Sequence, residues 1–209
     1  MSQKNRVKTV AFVGVLGALS CVLMLLRFPL PFVPSFYEFD IAELPALFAG
    51  FFLGPVAGCG VVFVKIVLKL MFQGTSTVFV GDLSNLIGSM CFILSASLIY
   101  RRMHTKKGAK IALVVSTVFV SVVYVFLNAY IMLPMYATLY GLPIETIVAM
   151  GHAVNPWVND TVSLMIFAVF PFNLIKHGVT ALLTYVLYKR VGNALRSMMG
   201  LQPDRTVRQ

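Results

Sequence analysis

Apolar positions in this chain come in long runs, not in strand-like alternation. They cover about residues 8–27, 44–71, 83–100, 110–132 and 159–190, with short polar blocks between them. A run of roughly 17–25 apolar residues lets a helix cross a hydrocarbon core of about 30 Å. Each run therefore predicts a membrane span. The 44–71 run contains Gly54-Pro55, a turn dipeptide that splits it into two shorter helices. Such short helices are tolerated at membrane depth where protein or a cavity covers them. The first run stops at "RFPLPFVP", whose three prolines end a helix. The pattern predicts an all-α integral membrane protein, a single membrane domain over 1–209. Its six transmembrane helices span 8–27, 42–53, 56–72, 83–100, 110–132 and 159–190, the last kinked at Pro171 and followed by a tail over 191–209. The opening "KNRVK" and apolar run mimic a secretory leader, but no small-x-small cleavage site follows, so this segment reads as a retained first helix.

Composition sharpens this picture. The 209 residues are 59% hydrophobic and 11% charged, against about 25% charged in a soluble domain. The net charge of +10 raises the possibility of a nucleic-acid partner. The bases, however, sit in blocks between apolar runs, which is a pattern of membrane orientation. Lys4, Arg6 and Lys8 precede the first span, five Lys or Arg lie in 101–110, and five more lie in 189–209. Six helices put all three blocks on one side, and the positive-inside rule makes that side cytoplasmic, with both termini inside. Glu38, Asp40, Glu43, Asp82, Glu145 and Asp160 fall on or near the other side.

Candidate chemistry is sparse. Cys21, Cys59 and Cys91 are isolated in apolar runs, and the histidines lack partners at ligand spacing, so no metal site or resident cofactor is expected. No paired acids or Ser/His pair suggests an intramembrane enzyme. Four bases lie outside the blocks. Arg27 and Lys69, near helix ends, are expected to snorkel to the interface. For Lys65, snorkelling and pairing both stand open. Lys176 is different, because a charge within a membrane helix is costly and usually faces a cavity or a partner.

Lys176 and Asn173 are three residues apart, so they project from one helix face. Asn128 lies four to five residues before the expected end of its span, roughly 7 Å below the surface at 1.5 Å per residue. Two amides and an ammonium then converge at one level. Asn donates and accepts while Lys only donates, which suits a ring edge of alternating carbonyls and N–H groups. Tyr37, Phe39, Tyr130, Tyr136 and Trp157 either stack on such a ring or form an interfacial belt.

Four stretches carry a resemblance: "FYEFDIAELPALFAGFFLGPVAG" (36–58), "GTSTVFVGDLSNLIG" (74–88), "LNAYIMLPMYATLYGLP" (127–143) and "PFNLIKHG" (171–178). Together they resemble the riboflavin-specific substrate-binding subunits, or S components, of energy-coupling factor (ECF) vitamin transporters, over about residues 8–190. The resemblance implies the S-component fold of six helices, with a vitamin pocket near the outer face partly covered by the first outer loop. It implies binding of riboflavin outside the cell, then docking on a transmembrane T subunit and two ATPases that drive delivery inward. The chain has no G-x-x-x-x-G-K-[ST] loop, so ATP chemistry falls to those partners. Asn128, Asn173 and Lys176 stand where the family's riboflavin-contacting polar residues fall. Asp40, Leu44 and Ala46 lie in the stretch expected to cover the ligand, and Gly81 and Asn85 are expected to line it. S components dock through an Ala-x-x-x-Ala on the first helix. Gly14 and Ala18 hold that spacing here, and small residues let helices approach closely; an internal packing seam is the alternative. An S component for another flat vitamin, a folate or a thiamine, and a solitary uptake carrier remain open.

Overall fold

A computed structural model describes residues 3–139 and 141–199. Helix α1 (Gln3–Leu25) leads into a loop that carries a two-residue antiparallel ladder, β1 (Phe28–Pro29) on β2 (Glu38–Phe39). Then follow α2 (Glu43–Phe52), α3 (Pro55–Gln73), α4 (Val80–Met103) and α5 (Lys106–Leu127). A π-helical turn, Asn128–Met132, joins α5 to α6 (Leu133–Leu139), and α7 (Ile144–Val154) and α8 (Thr161–Leu164) come next. A second π-turn, Met165–Val169, opens into α9 (Phe170–Met199). Five of the described helical stretches are long and apolar enough to cross a membrane, and α2 is a shorter apolar helix. Gly54, at φ +106°, makes the break between α2 and α3, and Pro55 occupies the first position of α3, where its missing N–H costs nothing.

The two π-turns share a cause. Pro134 and Pro171 each lie two residues beyond a π-turn. A proline ring clashes with the carbonyl four residues back, here Tyr130 or Phe167, both inside the widened turn. The i→i+5 bonds Leu133 N–H to Asn128 O and Phe170 N–H to Met165 O carry the helix past each proline. The Phe167 carbonyl accepts instead from Asn155 Nδ2 at 3.2 Å.

Two expectations change here. The fifth span does not stop at 132 but continues as one apolar stretch to Leu139, so Asn128 lies deeper from the helix end than the sequence placed it. The 133–158 connection contains α6 and α7; Pro143 caps the start of α7 and Pro156 lies in the turn after it.

The bundle packs through α1 on α3, α4 on α5 and α5 on α9. Arg27 donates to Gln73 at 3.0 Å, and Lys176 reaches Asp40 at 2.8 Å. These contacts put the C-terminal ends of α1 and α3 at the same end as the N-terminal half of α9. The opposite end is closed by aromatics: Tyr100 and Tyr188 share a hydroxyl hydrogen bond, and Phe51 stacks on Tyr100 at 4.4 Å.

Candidate ligand-binding site

The first of these ends is hollow. A small cavity of about 110 Å³ opens among the β1–β2 loop, α4, α5 and α9. That is smaller than the roughly 300–1,000 Å³ of typical small-molecule sites. Asn128, Asn173 and Lys176 all line it, with Gly81 and Asn85. An adjoining hollow of about 170 Å³ shares Lys176, Gly81 and Asn85 and adds Asp40. Leu44 and Ala46 are not brought to either lining. They belong to α2, not to the covering loop, and Ala46 is fully buried in the core. The period of a helix, not the reach of a loop, decides where those side chains go.

Local geometry explains how the amides are held. Asn173 Nδ2 donates to Val169 O at 2.9 Å, the last carbonyl of the second π-turn. Asn128, the first residue of the other π-turn, donates from Nδ2 to Tyr124 O at 2.8 Å and accepts from Tyr37 Oη at 3.0 Å. Burial and the nearby Tyr136 phenol hold the Tyr37 phenol above its usual range, so it stays a neutral donor. Asn173 Oδ1 has no partner among the described residues, which leaves an acceptor for a ligand. π-turns recur at functional sites because the extra residue re-aims the side chains beyond it.

Four ion pairs surround the hollow. Lys176 meets Asp40 at 2.8 Å, and Asp40 also accepts from Ala42 N at 2.9 Å. Lys65 Nζ, fully buried, bonds Glu43 at 3.0 Å, Asn85 at 2.9 Å and Ser89 at 3.2 Å. Lys69 meets Asp82 at 2.6 Å and the Gly74 carbonyl at 2.9 Å. Arg27 meets Glu38 at 2.9 Å. The snorkelling expected of Lys69 is thus overturned, and for Lys65 the open choice resolves to pairing. Nor are Asp40, Glu43 and Asp82 surface acids; all three are buried. Isolated charges at this depth are expensive, whereas paired and hydrogen-bonded ones persist. The signal missed in the sequence was Lys65 and Lys69, one helical turn apart and so on one face, opposite acids at the starts of the helices on either side, Glu43 in α2 and Asp82 in α4.

Of the expected aromatics, Tyr37 and Tyr136 line the cavity, joined by Phe36 and Phe172, which sequence reasoning missed. Phe39 packs on Phe28, Tyr130 on Phe126 and Trp157 on Phe167. Gly14 and Ala18 lie far along α1, on its exposed face.

A polar, aromatic-walled cavity at one end of an apolar helix bundle defines a membrane-embedded receptor for a small polar ligand. The model of the ECF transporter substrate-specific component family matches residues 8–188, and the chain belongs to that family. It is 30% identical to the riboflavin transporter RibU of Staphylococcus aureus, over 94% of this chain and 95% of that protein. It is 31% identical to the riboflavin transporter FmnP of Bacillus subtilis, over 82% of this chain and 85% of that one. A solved structure of the S component of a bacterial ECF transporter superposes with a TM-score of 0.71 at 29% identity, covering 91% of this chain and 99% of that one. The chain is therefore a multi-pass component of a bacterial membrane transporter, in a family of carriers and not of enzymes.

Proposed function

We propose that this S component binds riboflavin in the cavity of Asn128, Asn173 and Lys176. The observation that carries the reading is the convergence of two amides and an ammonium, from α9 and the α5–α6 junction, on one aromatic-walled hollow. Relatives named as riboflavin transporters at 30% and 31% identity favour riboflavin over a folate or a thiamine. Asn173 Oδ1 accepts a ring N–H, the Asn128 amide and Lys176 meet carbonyl or ribityl oxygens, and the Phe36, Tyr37 and Tyr136 rings cover the flat face. Asp40 holds Lys176 in place, while Gly81 and Asn85 complete the wall. Purified protein should carry, or take up, the yellow flavin absorption band; protein that binds folate or thiamine and leaves riboflavin free would overturn the assignment.

Transport needs more than this chain. A T subunit and two ATPases supply the energy, and the cavity end faces outside before uptake. Gly14 and Ala18 form the docking face for the T subunit. A Cβ at Gly14 would meet nothing within 4 Å, whereas one at Gly17 would strike Val64 at 2.4 Å. The contact between α1 and α3 is thus made by Gly17, and the Gly14/Ala18 stripe is left for a partner helix. Gly14→Leu with Ala18→Leu should abolish ATP-dependent uptake and co-purification of the ATPases, yet leave riboflavin binding intact. Loss of binding in the same variant would return the stripe to internal packing.

A further inference from the structure

We infer that Tyr124 is a ligand-reading residue of this cavity, its hydroxyl aimed at the flavin ring and its position set by Gly88. The inference rests on the riboflavin reading above. Tyr124 is buried in α5 and lines the cavity beside Asn128 and Asn173. The hydroxyl end of its ring sits against α4 at Gly88: a Cβ there would fall 2.1 Å from Tyr124 Cζ and 2.2 Å from its Oη. No real Cβ tolerates such contacts, so only glycine lets the ring lie where it does. On another side the ring meets His177, centroids 5.5 Å apart, and His177 is itself held edge-on by Phe92 at 4.8 Å. The ring is therefore braced, and the space left to it is the cavity.

The hydroxyl is chemically idle in the protein. It has no hydrogen-bond partner among the described residues, and it is not among the sealed polar atoms. A phenol both donates and accepts. Tyr124 is also tied to one of the amides: its carbonyl takes the Asn128 Nδ2 bond, while its neighbour His177 bonds the backbone carbonyl of Asn173 at 2.9 Å. The hydroxyl thus stands beside the two amides in the cavity wall, and we assign it to the same ring edge.

The test uses full-length protein in detergent and two probes, riboflavin and lumiflavin, which share the ring but differ in the ribityl chain. Fluorescence quenching gives the affinities. Tyr124→Phe should weaken both about fivefold to tenfold, the loss of one hydrogen bond. Gly88→Ala, which pushes the ring into the cavity, should weaken both at least as much. In a Tyr124→Ala background Gly88→Ala should add nothing further, since the clash is gone; that non-additivity separates a displaced ring from a general loss of folding. Unchanged affinity in Tyr124→Phe overturns the inference, as does a loss confined to riboflavin or full additivity of Gly88→Ala. Wild-type protein that binds neither flavin refutes the riboflavin reading itself and is distinguishable from all of these.

Discussion

The two ends of the bundle solve opposite problems with the same helices. At the cavity end, α3 and α9 bring Lys65, Lys69 and Lys176 inside and pair them with Glu43, Asp82 and Asp40. At the other end, α2, α4 and α9 meet through Phe51, Phe52, Tyr100 and Tyr188. The charged end lines its hollow with paired ions and amides; the aromatic end packs ring against ring. A polar ligand can be received only where polar groups stay available, and those groups are tolerated in a membrane only where each charge has a partner. The same ion pairs that hold the cavity open make it the fragile end.

That contrast predicts an unequal response to mutation. The largest effect should come from Glu43→Ala, which strands fully buried Lys65. Removing one partner of a buried pair costs about 3–5 kcal/mol, whereas replacing both partners by apolar residues is often neutral. Denaturant unfolding in micelles should therefore show Glu43→Ala strongly destabilised and Glu43→Leu with Lys65→Met largely recovered. Equal damage in both would mean that volume, not charge, organises this end.

Asn173→Ala comes next. Affinity for riboflavin should fall by about 1–3 kcal/mol, the range for loss of a hydrogen bond to a buried polar group, with little change in unfolding. Lys176→Met should lose affinity and also stability, because Asp40 is left unpaired. Two variants of the same cavity thus separate reading from holding.

At the aromatic end, Tyr188→Phe removes the hydroxyl bond to Tyr100. Stability should drop by about 1 kcal/mol, a typical hydrogen bond, and riboflavin affinity should not move. A change in affinity would show the two ends to be coupled, and the contrast between them would fail.

The smallest effect concerns Asp160, the exposed N-cap of α8. The Ser163 backbone N–H, at 2.7 Å, and the Ser163 hydroxyl hold its carboxyl below the usual carboxylate range. A depressed pKa in the folded state stabilises above the unfolded value and is lost as pH falls through the folded one. Asp160→Asn should flatten the acid limb of the stability profile slightly; an unchanged limb would remove Asp160 from the account.

Much of this fold was legible, because hydropathy reports membrane spans directly. Gly54-Pro55 marked the break between α2 and α3, and "PFNLIK" marked the α9 face. The buried ion pairs were not legible. Hydropathy places Glu43 and Asp82 at the ends of apolar runs, where they look like surface residues, and only three-dimensional packing turns them inward toward Lys65 and Lys69. The π-turns also escaped, since a widened turn has no composition of its own; Pro134 and Pro171, within apolar stretches, were the available sign. Leu44 and Ala46 fell within the expected 42–53 helix, but hydropathy alone does not say which face of that helix meets the hollow.

The most direct test is a riboflavin titration of three purified proteins, read by quenching of flavin fluorescence: wild type, Asn173→Ala, and Gly14→Leu with Ala18→Leu. The account predicts saturable binding by wild type, clearly weaker binding by Asn173→Ala, and wild-type binding by the α1 variant. Equal affinity for all three, or no saturable binding by wild type, would contradict it.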